Sequence, residues 1–287
     1  MVNHLTTKLQ AGLYFVATPI GSARDITLRA LDVLASADVI AAEDTRSMRR
    51  LLEIHGVALG ERPLIAYHDH SGAGARDKLM AHLAAGRSVA YASEAGTPLI
   101  ADPGYDLSRA ASEAGHPVTS APGPSAVATA LTLAGLPTDA FFFAGFLPNA
   151  RKARVSALEA LRDVPGTLVF YESPRRVAAM LGDAAQALGA GRAAAMCREL
   201  TKKFEEVRRG SLGELAEALD GQTVKGEVVV LIDRARGDGA SEADIEAALR
   251  QALDSMSVRD ASETVAKAFG GHKRKIYQMA LALKTEN

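Results

Sequence analysis

The chain has 287 residues, of which 48% are hydrophobic and 23% are charged, and its formal net charge is -1. This composition excludes a largely disordered chain, and the near-neutral charge gives no basic excess of the kind that many nucleic-acid-binding proteins carry. The length suits two domains and a small additional segment. The single cysteine, Cys197, excludes a disulfide framework or a cysteine zinc site within the chain and indicates a reducing compartment.

The beginning of the sequence gives no sign of export. Residues 1–10 are polar and lack the apolar core of a signal peptide. No stretch reaches the roughly 18 apolar residues that a membrane-spanning helix needs. We therefore expect a cytoplasmic protein.

The first half of the chain alternates short apolar runs, typical of buried strands, with longer segments whose apolar residues have helical spacing. This alternation predicts a mainly parallel sheet covered on both faces. The predicted strands are residues 13–17, 39–42, 64–67, 89–92 and 118–120. The predicted helices are residues 26–34, capped by Asp25 or Thr27, and residues 48–54, 78–85 and 105–114.

A loop at residues 121–126 separates this half from a second α/β half, in which several short connections predict a mixed sheet. The predicted domains therefore span residues 12–122 and 123–236. Strands are predicted at residues 141–144, 168–171, 193–197, 205–208 and 228–232, and helices at residues 126–133, 151–162, 175–188 and 212–219. We expect the first of these strands, with Phe141, Phe142 and Phe143, to be buried.

A charged linker at residues 234–239 leads to a small helical segment, residues 240–287. Apolar residues at helical spacing predict three short helices here, with Gly270 and Gly271 as the turn before the last one. Helix, turn and a final helix resemble a helix-turn-helix module. The predicted helices are residues 242–253, 261–269 and 273–283.

Polar and glycine-rich strings follow the predicted strands of the first half, at residues 18–21, 43–46, 68–70 and 93–98. Because ligands of open α/β sheets bind beyond the carboxyl ends of the strands, these strings predict a binding site. Neither a Walker loop nor the GxGxxG fingerprint is present, which disfavours the common ATP and NAD folds. The His-Asp-His string at 68–70 would share a face only if its strand continued, so we expect no metal site.

Longer strings of the sequence closely resemble the ribosomal RNA small-subunit methyltransferase I family, which belongs to the tetrapyrrole methylase superfamily. The resemblance covers residues 13–233. It is carried by LYFVATPIG at residues 13–21 with DITLRAL at 25–31, AAEDTR at 41–46, SEAGTPLIADPG at 93–104, PGPS at 122–125, FYESP at 170–174, RELTK at 198–202 and KGEVV at 225–229.

The resemblance implies two α/β domains of the tetrapyrrole methylase type with S-adenosylmethionine in the cleft between them. It also implies a homodimer. The expected reaction is 2′-O-methylation of the ribose of a cytidine in the decoding centre of 16S ribosomal RNA. The expected partner is therefore 16S RNA, in the assembled small subunit.

The glycine and proline residues of these strings suit a cofactor site. Glycine lets backbone approach a ligand closely, and proline stiffens the loop. Ser125, at a helix start, can offer amides to a carboxylate. Thr97 stands where many superfamily members carry aspartate, and Glu94 stands where aspartate is usual in the subfamily. The expected cofactor-binding residues are Pro19, Glu94, Gly96, Thr97, Pro98, Ser125, Ala126 and Leu200.

A ribose hydroxyl is a poor nucleophile at neutral pH, so a nearby base or cation would help the transfer. Lys202 can stabilise a developing alkoxide, or act as the base if burial lowers its pKa. Glu199 and Asp44 are the other predicted catalytic residues, and Glu43 is a further candidate. Arg46 and Arg198 either hold RNA phosphates or pair with neighbouring carboxylates.

Two other functions remain open from the sequence. A methylase of a tetrapyrrole or another small molecule would share the fold and the cofactor, and a non-catalytic RNA-binding assembly factor would need neither. The C-terminal segment has two interpretations as well. Lys273, Arg274 and Lys275 form the densest basic cluster of the chain, so the segment either grips RNA phosphates or is only a helical cap on the second domain.

Overall fold

The computed structural model describes residues 3–68, 72–101, 104–235, 242–254, 256–269 and 273–285. Within these residues the chain forms two five-stranded sheets, followed by a group of three helices. The tail of the His-Asp-His string and the Gly270–Gly271 turn lie outside the described residues. Of the helices that the structure describes, none is long and apolar enough to cross a membrane.

The first sheet is entirely parallel, with the strand order β3-β2-β4-β1-β5. One buried cluster packs α1 and α2 against it, and another packs α3 and α4, so both faces are covered as predicted. Its elements are β1 (Gly12–Val16), α1 (Leu28–Ser36), β2 (Val39–Ala42), α2 (Thr45–Ile54), β3 (Leu64–Ala66), α3 (Gly72–Ala84), β4 (Ser88–Ala92), α4 (Tyr105–Glu113) and β5 (Val118–Ala121).

Two polar side chains fix where the first helices begin. Thr27, and not Asp25, caps α1 by accepting a hydrogen bond from the amide of Ala30 at 3.1 Å. Asp44 caps α2 by accepting from the amides of Arg46 and Ser47 at 2.7 and 3.4 Å. Such caps satisfy helix amides that have no partner within the helix. The carboxylate of Asp44 is therefore committed to the helix.

The second sheet is mixed, as predicted, with the order β6-β7-β10-β8-β9 and one parallel pair, β6 with β7. Helix α5 packs on it through Val127, Ala130 and Leu131. The elements are α5 (Ala126–Ala134), β6 (Phe141–Phe146), α6 (Arg151–Ala160), β7 (Thr167–Glu172), α7 (Val177–Leu188), β8 (Ala193–Arg198), β9 (Glu206–Ser211), α8 (Leu212–Leu219) and β10 (Val228–Ile232).

The prediction that the phenylalanine run is buried was wrong. Phe141 is 51% exposed and Phe142 is 45% exposed, because β6 is an edge strand of its sheet. Only Phe143 packs inward, with its ring 4.8 Å from the ring of Tyr171. Cys197, in contrast, is fully buried in the same sheet, and burial raises the pKa of its thiol to about 11.

The C-terminal segment forms α9 (Glu242–Leu253), α10 (Val258–Phe269) and α11 (Lys273–Thr285). Leu249, Val265 and Ile276, one residue from each helix, meet in a core of their own with the other apolar residues of the three helices. The predicted three-helix packing is confirmed. The three basic residues that open α11 are all exposed.

Candidate functional site

A cleft of about 700 Å³ lies between the two sheets, at the carboxyl ends of β1, β2, β4, β5 and β7. This volume is typical of small-molecule sites. Residues of both α/β halves line the cleft, so the strand-end strings do meet around one cavity. Its lining includes Pro19, Ile20, Gly21, Glu43, Ser47, Glu94, Ala95, Gly96, Thr97, Ile100, Ala101, Ser125, Ala126, Phe146, Tyr171, Glu172, Ser173, Pro174, Lys202, Gly226, Glu227, Val228 and Val229.

The N-terminal wall of the cleft consists of residues 18–21, 93–101 and 122–126. Short hydrogen bonds tie these loops together. Thr18 and Gly96 exchange two backbone hydrogen bonds of 2.9 and 3.0 Å, and the Thr97 hydroxyl donates to the Pro124 carbonyl at 2.9 Å. Ser125 caps α5, which places the first turn of that helix at the cleft. Most of this wall therefore presents backbone and small side chains.

The same wall also contains strained backbone. Gly96 has a φ of +82°, and Leu99 and Ala101 have φ values of +72° and +55°. Glycine adopts this conformation freely, but each of the other two residues costs about 1–3 kcal/mol there. Such strain persists only where the surrounding contacts fix the chain. The loop after β4 is thus held in one particular shape.

The C-terminal wall consists of residues 199–202 and 226–227 and is ionic. The ammonium of Lys202 lies 3.0 Å from a carboxylate oxygen of Glu199 and 3.0 Å from one of Glu227. The Glu227 amide also donates to Glu199, at 3.0 Å. Burial by itself would lower the pKa of Lys202, but its hydrogen bonds to the two carboxylates outweigh that effect and raise it. Lys202 is thus a cation in this site, and its use as a neutral base is disfavoured.

Glu199 is held in place by the same contacts. The hydrogen bond from the Glu227 amide, followed by that from Lys202, lowers the pKa of its carboxyl. Its backbone has a φ of +51°. A Cβ added to Gly226 would lie 2.4 Å from the Glu199 carboxyl carbon, so only glycine fits at that position. Glu199 therefore holds a fixed contact with the ammonium of Lys202.

A second glycine brings the two walls together. A Cβ at Gly21 would lie 2.5 Å from Cγ of Lys202 and 2.6 Å from the Thr201 hydroxyl. The neighbouring amide of Ser22 donates to that hydroxyl at 3.1 Å. The loop after β1 thus contacts the Lys202 turn directly, and a side chain at Gly21 would push the walls apart.

The mouth of the cleft is acidic. Burial is the main cause that raises the pKa of Glu94, and the nearby carboxylates of Glu43, Asp44 and Glu227 raise it further. The pKa of Asp44, a predicted catalytic residue, is shifted in the opposite direction. The amide of Arg46 is the main cause that lowers its pKa, because this carboxylate caps α2.

The two predicted RNA-binding arginines differ. The side chain of Arg46 is 92% exposed, and its nearest approach to Asp44 is 3.7 Å. Arg198 pairs with Glu206 at 3.0 Å and donates to the Lys225 carbonyl at 3.1 Å. Arg198 therefore pairs with a neighbouring carboxylate, which is one of the two alternatives that the sequence left open. Arg46, in contrast, points into solvent.

The cleft brings together six of the eight predicted cofactor-binding residues, and it leaves the other two behind its surface. Pro98 and Leu200 are buried and do not line the cavity. The predicted residues that do line it are Pro19, Glu43, Glu94, Gly96, Thr97, Ser125, Ala126 and Lys202.

Several cleft residues were missed as site residues, above all Glu227, the second carboxylate on Lys202. The signal was present, because Glu227 belongs to the KGEVV string. Glu172, from FYESP, also lines the cleft but is 3% exposed and bonded to Arg176 at 2.9 Å. Among the described residues, no group of three or more histidine, cysteine, aspartate or glutamate side chains could hold a metal ion.

Comparisons with known proteins agree with this architecture. Residues 12–216 match the model of the tetrapyrrole (corrin/porphyrin) methylases. A diphthine synthase has a similar fold, with a TM-score of 0.60 at 16% identity, covering 77% of this chain and 89% of that one. So does a uroporphyrin-III C-methyl transferase of Thermus thermophilus complexed with S-adenyl homocysteine, with a TM-score of 0.54 at 19% identity, covering 77% and 96%. The chain thus belongs to the tetrapyrrole methylase superfamily, as its match to the family model shows.

Curated relatives narrow the assignment. A Mesorhizobium japonicum protein called ribosomal RNA small subunit methyltransferase I is 50% identical over 96% of this chain and 93% of its own length. The protein of the same name from Escherichia coli O157:H7 is 42% identical over 95% of each chain. Residues 239–284 match the C-terminal helix-turn-helix domain that is named after this family. The chain belongs to the ribosomal RNA small subunit methyltransferase I family.

Proposed function

We propose that the protein transfers a methyl group from S-adenosylmethionine to the 2′-hydroxyl of a cytidine ribose in the decoding centre of 16S ribosomal RNA. The names of the relatives support small-subunit ribosomal RNA as the substrate. One structural observation carries the chemistry: a wall of backbone and small side chains faces a lysine held as a cation, across a single cleft.

The residues of the cleft fit the cofactor, which members of the tetrapyrrole methylase family use. Gly96 leaves backbone open to a ligand, and Ser125 and Ala126 place the amides of the first turn of α5 where a carboxylate can be bound. The acidic mouth around Glu94 favours a cationic ligand. When bound, the sulfonium of S-adenosylmethionine supplies an electrophilic methyl group. Pro19 and Thr97 complete the lining, and Pro98 and Leu200 support it from behind.

Lys202 acts on the hydroxyl that receives the methyl group. Its ammonium donates a hydrogen bond to the 2′ oxygen and stabilises the negative charge that develops there. A new O–C bond forms as the C–S bond breaks, and the hydroxyl proton passes to Glu227, whose carboxylate lies 3.0 Å from Lys202. Glu199 keeps Lys202 in position. In-line transfer of this kind gains mainly from positioning and needs no metal.

RNA phosphates bind outside the cleft, because its mouth carries the carboxylates of Glu43, Asp44 and Glu94. Arg46, at the start of α2, is exposed beside this mouth, and Arg50 on the same helix lines a side groove with Gly21 and Ile54. These arginines offer phosphate contacts at the rim. The basic start of α11 offers further contacts on the small subunit.

Methyl transfer from labelled S-adenosylmethionine tests the proposal. Small subunits from a strain that lacks the enzyme, free 16S RNA and uroporphyrinogen serve as parallel substrates. We expect the label to appear in the subunits and to map to one 2′-O-methylcytidine. Transfer to uroporphyrinogen alone would indicate a small-molecule methylase, and RNA binding without affinity for S-adenosylmethionine would indicate an assembly factor.

We further propose that the enzyme is a cytoplasmic homodimer, on the basis of the family alone. Light scattering at micromolar protein concentration should give twice the mass of one chain. A monomer that is fully active on subunits would contradict the dimer.

A further inference from the structure

The turn that carries Lys202 into the cleft also carries an aromatic ring into solvent. This β8–β9 turn comprises residues 199–205 and joins the two strands at the C-terminal wall. Phe204, two residues after Lys202, is 64% exposed. The ammonium of Lys203 lies 5.6 Å from the centre of its ring. The ammonium thus lies over one face of the ring, and both residues belong to the turn that carries the proposed reacting group.

Internal hydrogen bonds hold this turn rigidly. The Thr201 amide donates to the Glu205 carboxylate at 2.7 Å, and the Glu205 amide donates to the Lys202 carbonyl at 3.1 Å. The Thr201 hydroxyl accepts from the Ser22 amide of the other wall. Thr201 also has a φ of +64°, a strained conformation. The position of Phe204 is therefore fixed relative to Lys202.

An exposed ring on a rigid turn forgoes stabilisation that burial would give, about 1.5–3 kcal/mol for a phenylalanine side chain. Its surroundings suit a nucleobase. Bases stack on aromatic side chains, and a neighbouring cation can pair with the phosphate that follows. The cleft mouth is acidic, so the RNA backbone is kept outside, where Lys203 lies.

We propose that Phe204 stacks on a base next to the target nucleotide while Lys203 contacts the adjoining phosphate. This inference rests on the proposed function, because it needs RNA as the substrate. Phe204 is then a substrate-binding residue that adds affinity for the RNA strand at the cleft. Alignment of the 2′-hydroxyl with the ammonium is left to Lys202 and its carboxylate partners.

Steady-state methyl transfer to small subunits tests this role. Phe204→Ala should raise KM for the subunit by about 10- to 100-fold, the usual loss for one stacked base, with kcat nearly unchanged. Phe204→Trp should keep KM within about threefold, because it preserves the π-face. Phe204→Leu keeps apolar bulk without a ring face and should behave like alanine. Affinity for S-adenosylmethionine, from calorimetry, should stay the same in all three.

Phe141→Ala is the matched control. Phe141 is also an exposed phenylalanine, 51% exposed, but it pairs with Thr167 at the end of the second sheet that lies away from the cleft. Its removal should leave KM unchanged. Circular dichroism and light scattering on every variant separate a lost contact from a lost fold or a changed oligomer.

The outcomes separate this inference from the function on which it rests. Wild-type protein that leaves subunits unmethylated would overturn both. Active wild-type protein with an unchanged KM for Phe204→Ala, or with leucine as good as phenylalanine, would overturn the stacking role alone. A Phe204→Ala variant whose subunit KM is normal but whose oligomeric state has changed would assign the ring to a protein interface.

Discussion

The two walls of the cleft are held together by different kinds of interaction. The N-terminal wall is held by backbone and hydroxyl hydrogen bonds, such as the pair between Thr18 and Gly96. The C-terminal wall is held by charge, with Lys202 between two carboxylates. Neutral hydrogen bonds depend little on pH or salt, whereas a partly exposed ionic network depends on both. One wall thus selects a ligand by shape, and the other acts on it by charge.

This difference separates binding from chemistry. A change of shape on the N-terminal wall should act on cofactor affinity, and a change of charge on the C-terminal wall should act on the rate. An effect that crossed from one wall to the other would contradict this division.

The largest expected effect is on the N-terminal wall. Gly96→Val places a branched side chain at a φ of +82°, where its Cβ would lie 3.2 Å from Ile20. We expect calorimetry to show no binding of S-adenosylmethionine, with circular dichroism unchanged. Gly86→Val is the matched control, because Gly86 has a φ of +73° with open space around it. Unaltered affinity in Gly96→Val would remove Gly96 from the cofactor site.

On the C-terminal wall, Lys202→Met removes the cation but keeps the length of the side chain. We expect kcat to fall by about 100- to 1,000-fold, the usual cost of losing a donor to a developing oxyanion. Affinity for S-adenosylmethionine should change little. Lys152→Met, at an exposed position on α6, is the control. If Lys202→Met lost cofactor affinity instead of rate, the division between the walls would be wrong.

A smaller effect is expected outside both walls. Changing Lys273, Arg274 and Lys275 together to glutamine should weaken subunit binding by about tenfold at low salt, and less at high salt. The salt slope should fall by less than about three units, because Lys273 already pairs with Glu263 at 2.6 Å. Cofactor affinity serves as the internal control. If subunit binding and its salt dependence are unchanged, the segment is only a helical cap.

The smallest effect concerns Glu94, which brings charge to the N-terminal wall. Because its pKa is raised, it takes up a proton at a higher pH than an ordinary glutamate. Affinity for the cationic cofactor should be complete above that pKa and fall as the pH is lowered through it. Glu94→Gln should remove this pH dependence and weaken binding by about threefold to fivefold. Calorimetry across the acid range measures the affinity for S-adenosylmethionine at each pH. An unaltered pH profile in the variant would show that another group titrates.

Much of the fold could be predicted because the hydrophobic pattern of a segment agrees with the position of that segment in the fold. Strands β2 and β10 begin and end at the predicted residues, since every residue in them is buried and polar residues follow. The prediction that the phenylalanine run is buried failed, because an apolar run does not show whether its strand lies at the centre or at the edge of a sheet. That distinction depends on strand order, which is not a local property.

The candidate site shows the same limit. The strand-end strings predicted a site, yet Glu227 was missed because its role depends on the pairing of β10 with β8. That pairing sets Val228 opposite Arg198 and so brings Glu227 beside Glu199. The cap at Asp44, in contrast, is a local feature, because an aspartate just before a helix is the usual sign of an N-cap. A catalytic role for Asp44 depends on tertiary contacts with the substrate and stays a prediction.

The position of β1 in the first sheet has a consequence for synthesis on the ribosome. This strand lies between β4 and β5, with Leu13 paired to Val89 on one side and to Val118 on the other. Strand β1 is therefore synthesised well before either neighbour, and it stays unpaired until residues far downstream have been made. Parallel sheets with such distant pairings form slowly and expose aggregation-prone segments meanwhile. Nascent chains that stall before Val118 should therefore depend on chaperones that cover this strand.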